Sequence, residues 1–139
     1  MTDYFHLKAE PDEIRAVSNL GLAHLGDGVF ELMVRSWLVL RGKATSRGLH
    51  RATVHFVAAP AQAAMGEKIL PALTEEERDV FRRGRNTNPH SVPKAASREE
   101  YQAATAVETL FGYLYLQGKT ERLNELFALM MEGGQEISR

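Results

Sequence analysis

The 139-residue chain contains no cysteine. Disulfides and thiolate metal sites are thereby excluded, and any bound metal must rest on carboxylates, imidazoles or water. No apolar run approaches the roughly 20 residues needed to cross a bilayer. Met1–Glu10 mixes acids, bases and aromatics where a secretory signal would place an apolar core. No membrane partner is expected, and the cytoplasm is the expected compartment. Sustained period-two alternation is absent, which argues against a sheet. There is no excess of charge either: hydrophobic residues make up 44% and charged residues 25%, a balance that excludes a disordered chain. No internal repeat or linker divides the sequence, so a single domain over 1–139 with one core is expected.

Acidic residues are missing from two long stretches. Between Leu32 and Gly66 the charged side chains are Arg35, Arg41, Lys43, Arg47 and Arg51. Between Val80 and Arg98 they are Arg82, Arg83, Arg85, Lys94 and Arg98. The acids gather elsewhere, at Asp3–Glu13, Glu75–Asp79 and Glu121–Glu136. A net charge of -1 is therefore compatible with one basic face for a polyanion and an acidic face turned away. Solvated helix faces with no partner would produce the same pattern.

What is present reads as helix, and the fold class is all-α. Asn19 is a candidate cap for a long helix running to about Arg41 and closed by Gly42. Ser46 begins another, which Pro60 should kink or interrupt. Thr74 with Glu77, and Ser97 with Glu100, form capping-box patterns ahead of helices that end near Gly84 and Gly118. Thr120 opens a last helix to about Glu132, and a short one covers Asp12–Val17. The segment Arg85–Ala96, rich in Asn, Ser and Pro, is a loop.

Two of these segments carry chemistry. Leu20–Leu40 is apolar almost all round and is expected to be a central, buried helix, broken by one polar stripe of His24, Asp27, Glu31 and Arg35. Asp27 lies between Gly26 and Gly28, and two glycines inside a helix cost on the order of 2 kcal/mol relative to alanine. Such a pair suggests that another helix or a ligand approaches closely there. Tyr101–Leu116 is equally apolar, with Glu108 its only charged residue and Thr105 and Gly112 one turn to either side. A lone carboxylate in apolar surroundings is expensive unless paired or metal-bound. Two helices that cross with Asp27 and Glu108 sharing a hard cation such as magnesium would satisfy both acids. The alternative is structural: Asp27 capping or pairing with His24 or an arginine, and Glu108 pairing with a base elsewhere. Glu31 and Arg35 have the favoured order of a helical ion pair.

The motif Leu25-Gly26-Asp27-Gly28-Val29 resembles the signature of the ribonuclease III family. Glu108–Leu116 resembles the family's second acidic motif, and Leu49–Val57 its intervening helix. Arg82–Asn86 and Val92–Ala96 are similar to the mini-ribonuclease III branch in particular. Together these matches cover roughly 19–127 in the family's order. The resemblance implies an endonuclease domain of about six helices that forms a homodimer and lays duplex RNA along a valley of carboxylates. Asp27 and Glu108 would then be the catalytic residues and the ligands of Mg2+, with Mn2+ able to substitute and Thr105 contributing through a water. Hydrolysis would leave 5′-phosphates.

The mini branch lacks a separate double-stranded-RNA-binding domain, so RNA contact is expected from this domain itself, through Arg83, Arg85, Asn86 and Lys94, with His50 and Arg51. The resemblance also implies maturation of large-subunit (23S) ribosomal RNA precursor as the task, and a ribosomal protein among the partners. Full-length family members usually carry a glutamate four residues before the aspartate and an aspartate three before the glutamate; this chain has Ala23 and Thr105 there. Those losses favour the alternative of a catalytically inactive domain acting as an RNA-binding or ribosome-associated scaffold.

Overall fold

Helix boundaries follow the local chemistry of the chain in a computed structural model that describes residues 1–42, 45–87 and 96–131. After a single 3-10 turn at Tyr4–His6, Glu10 and Glu13 form a capping box that starts α1 (Pro11–Arg15). The long helix α2 (Asn19–Leu40) is capped by Ser18, whose hydroxyl accepts from the Gly21 amide, and not by Asn19. Both residues can cap, and the register that points the Ser18 side chain at the first free amides prevails. The next stretch is two helices: α3 (Ser46–Val57), capped by Thr45, and α4 (Ala59–Ile69). Ala58 is extended between them, and Pro60 sits in the first turn of α4, where its missing N–H and fixed φ are tolerated. Interruption at Pro60 is as expected, and it raises the number of α-helices among the described residues to seven, one more than the sequence suggests.

Both remaining capping boxes form. Thr74 and Glu77 open α5 (Glu75–Arg85), and Ser97 and Glu100 open α6 (Arg98–Leu116), which ends at Gly118 with φ +73°. The last helix, α7, is described over Thr120–Met131, and Glu132, where the sequence places its end, lies outside the described residues, as does Lys94. No strand occurs among the described residues, and none of their helices is long and apolar enough to cross a membrane.

The central helix is α6, not α2. Packed against α2, α4, α5 and α7, it buries Ala106, Val107, Leu110, Phe111 and Leu114 completely. Phe30 of α2 meets Phe111 and Phe127 edge-on, with ring centroids 5.7 and 6.0 Å apart, the favoured aromatic geometry. α2 buries only one face, through Leu22, Ala23, Gly26, Phe30, Val34 and Leu38. Its opposite side leaves Leu20, Leu32, Val39 and Leu40 exposed, which corrects the expectation of a helix buried all round. The Glu77 carboxylate, beyond capping α5, receives two hydrogen bonds of 2.9 and 2.8 Å from Arg122, which also donates to the Ala72 carbonyl and so ties α7 to α5. That guanidinium holds the Glu77 carboxyl below the usual carboxylate range.

Candidate active site

Two glycines decide where α2 and α6 cross. A Cβ built on Gly26 would lie 1.6 Å from the Glu108 carbonyl oxygen and 2.8 Å from the Gly112 amide nitrogen. One on Gly112 would lie 2.1 Å from the Leu22 carbonyl oxygen. Backbone therefore rests on backbone, an approach only glycine permits. Gly28 differs. Nothing among the described residues of the chain lies within 4 Å of its would-be Cβ, and the residue is exposed, so the helix approach expected of the pair is made at Gly26 and not at Gly28.

The crossing delivers the two acids to one place. Asp27, next to Gly26, is on the exposed side of α2, while the Glu108 side chain is mostly enclosed. Burial first, and then the adjacent Asp27 carboxylate, push the Glu108 carboxyl up to about 8, with the Gln62 carboxamide acting in the opposite direction. Neither acid makes an ion pair with a lysine, arginine or histidine among the described residues, so the structural alternative of two separate acid–base pairs is not what the fold contains. Glu31 does pair with Arg35, Nε to Oε2 at 2.7 Å, and His24 stays exposed.

Glu108 therefore resists ionisation where it stands. The folded protein keeps a proton that the unfolded chain loses above about pH 4.5, so this group makes the fold less stable as pH rises from about 4.5 to about 8. Two acids held together without a counter-charge are a donor set suited to a hard divalent cation, which needs one or two carboxylates and completes its shell with water and phosphate oxygens. No third His, Asp or Glu joins them among the described residues. Thr105 lies one turn before Glu108 on α6, and its hydroxyl donates to the Tyr101 carbonyl at 2.9 Å. The oxygen keeps its lone pairs, so it can accept from a bound water.

The basic candidates fall into two groups. Gly84 presses α5 against α6, where a Cβ would come within 2.5 Å of Thr109 Oγ1 and 3.1 Å of the Ala106 Cα. Thr109 adjoins Glu108, so the exposed end of α5, with Arg83, Arg85 and Asn86, borders the acidic pair's helix. Arg83 is partly engaged by Asp79 at 3.2 Å, whereas Arg85 forms no ion pair among the described residues. His50 and Arg51 are both exposed on α3, and His50 is set apart from the acids. His50 lies opposite Arg35 and Val39, eight or more residues beyond Asp27, on the order of 12 Å along the α2 axis.

Gln62 is the residue at this site that sequence reasoning missed. It is fully buried on α4, the only polar side chain between His55 and Glu67. Its isolation in an alanine-rich run was the available signal.

Comparison with known proteins matches residues 20–119 to the ribonuclease III domain. The chain is 49% identical to the mini-ribonuclease 3 of Symbiobacterium thermophilum, an alignment covering 84% of this chain and 92% of that protein. It is 39% identical to the mini-ribonuclease 3 of Clostridium tetani over 91% of this chain and 85% of that one. A crystal structure of a Fusobacterium nucleatum protein, 31% identical, superposes with a TM-score of 0.80 and covers 87% of this chain and 98% of that one.

Proposed function

Because the chain belongs to the ribonuclease III family of endoribonucleases, we propose that it hydrolyses double-stranded RNA in a magnesium-dependent reaction centred on Asp27 and Glu108. The observation that carries this reading is the meeting of those two carboxylates at a glycine-lined helix crossing with no cationic side chain paired to either. Asp27 and Glu108 would hold the ion directly, with Thr105 accepting from one of its waters. When bound, the ion supplies a nucleophilic water and charge stabilisation at the scissile phosphate. Mn2+, of similar ligand preference, can substitute.

The residues of the chain do the rest. Gly26 and Gly112 fix the separation of the two acids. Arg85 and Asn86, beside Arg83, meet the phosphate backbone of a duplex, which is recognised by shape and charge more than by base identity. His50 and Arg51, set back along the molecule, would meet the same duplex farther from the cut. Lys94 belongs to this set by its place in the sequence and lies outside the described residues.

The exposed apolar side of α2, where Leu25, Val29, Leu32 and Met33 line a groove with Tyr4 and Phe5, supports a homodimer that covers it. The resemblance to the mini-ribonuclease III branch that the sequence carries extends the proposal to ribosomal RNA precursor, the 23S species, as the substrate, a ribosomal protein as an assistant and the cytoplasm as the compartment.

One observation favours a second reading, a cleavage-dead domain that only binds RNA: among the described residues two acids meet at the site, not three or more. Labelled duplex RNA incubated with the protein separates the two. Shortened products bearing 5′-phosphates, formed with Mg2+ and absent with chelator, are expected. Retarded but intact duplex with both Mg2+ and Mn2+ would establish the scaffold instead.

A further inference from the structure

Gln62 is 0% exposed, and neither its Oε1 nor its Nε2 has a hydrogen-bond partner. Buried carboxamides are nearly always paired, and one left unpaired weakens the fold that contains it. Nothing in the packing requires an amide here. The neighbouring residues of α4, Ala59–Ala61 and Ala63–Met65, are alanine, proline and methionine, and a methionine of similar length would fill the position without orphaned polar atoms. Local rules broken without a structural gain mark functional positions.

The surroundings say which function. α4 packs along α6, and Gly66, one turn beyond Gln62 on the same face, lets Val107 approach to 3.1 Å of its would-be Cβ. Gln62 therefore sits in the α4–α6 contact, its unpaired carboxamide beside the helix that carries Glu108 and near enough to that carboxyl to act on it. A carboxylate that must serve as a ligand needs its second oxygen held, and a neutral donor does this without competing with the cation for the carboxylate as an arginine would.

We propose that Gln62 is a positioning residue whose Nε2–H donates to the anionic Glu108 carboxylate and orients it toward Asp27 and a shared divalent ion. This rests on the reading of Asp27 and Glu108 as ion ligands. The amide's orphaned state is then a reserve: stability is forgone in the fold so that a donor stands ready beside the ligand.

Structural and positioning roles predict opposite results for Gln62→Met and Gln62→Leu. Three quantities are to be measured on the full chain: Mn2+ affinity by titration, melting temperature in chelator, and duplex affinity in chelator. For a positioning residue, Mn2+ affinity and the cleavage rate at saturating RNA fall roughly 10- to 100-fold. The melting temperature stays level or rises, because an unpaired amide has been replaced by an apolar side chain, and duplex affinity does not change. Mn2+ affinity within about twofold of wild type in both variants would overturn the proposal, as would a lower melting temperature in both. Wild-type protein that takes up no Mn2+ would instead overturn the two-carboxylate reading beneath it, so the two failures are distinguishable.

Discussion

Asp27→Asn is expected to reduce Mg2+-dependent cleavage of duplex RNA by roughly a thousandfold or more while making the metal-free protein more stable. The loss follows from the scale of metal catalysis: several kcal/mol of transition-state stabilisation depend on the ion, and each 1.4 kcal/mol is about tenfold in rate. An asparagine keeps the shape of the side chain but surrenders the charge that draws the cation. The gain follows from electrostatics at the crossing. In the wild type the Asp27 carboxylate is among the causes that raise the Glu108 carboxyl to about 8. Removing that charge lowers the Glu108 value and narrows the pH window over which the folded state must keep the extra proton. The variant's advantage is therefore absent near pH 4, where both states hold the proton, and grows toward pH 8, reaching on the order of 1–2 kcal/mol for a carboxylate pair partly screened by solvent. Denaturant unfolding in chelator at pH 5 and pH 8 measures it. A gain over wild type that is absent or the same at both pH values, or a variant that still cleaves, would detach Asp27 from Glu108 or from the chemistry.

The second large effect separates two glycines two residues apart. Gly26→Ala should destabilise the protein by about 3 kcal/mol or more, because its methyl group would occupy the space of the Glu108 carbonyl oxygen, a backbone atom with no rotamer to move to. Relief requires α2 and α6 to separate, which also pulls Asp27 from Glu108, so whatever folds should cleave poorly. Gly28→Ala, at an exposed helical site with open space around it, should be neutral or stabilising by up to about 1 kcal/mol through helix propensity. Unfolding curves of the two variants side by side decide the matter. Equal destabilisation by both would contradict the crossing described.

The contrast between these glycines shows what the sequence could carry. Capping boxes at Thr74/Glu77 and Ser97/Glu100 were legible because donor and acceptor lie three residues apart and answer to local geometry alone. Pro60 announced a break for the same reason, although its exact place, at Ala58, depended on the proline being accommodated in the first turn of the following helix. Whether Gly26 or Gly28 meets another backbone is set by a helix some 80 residues away, and no local pattern reports it. The apolar content of α2 suggested burial on all sides, yet content alone does not say which neighbour covers each face, and α6 took the centre. Asp27 and Glu108 stand out as lone acids on apolar helices and again in the family motifs, whereas the absence of a basic partner for either among the described residues is visible only with the fold. Gln62 escaped because a glutamine among alanines reads as a solvated helix position until its burial is known.

The central claim is that Asp27 and Glu108 hold one ion between them, and a double-mutant cycle on Mn2+ affinity tests it most directly. Wild type, Asp27→Asn, Glu108→Gln and the double variant are titrated with Mn2+ at neutral pH. Side chains that share a single ion act as a unit, so each single substitution should remove most of the binding and the double variant should lose little more than either. Losses that simply add, or an affinity that survives both substitutions, would mean that the two carboxylates do not share an ion.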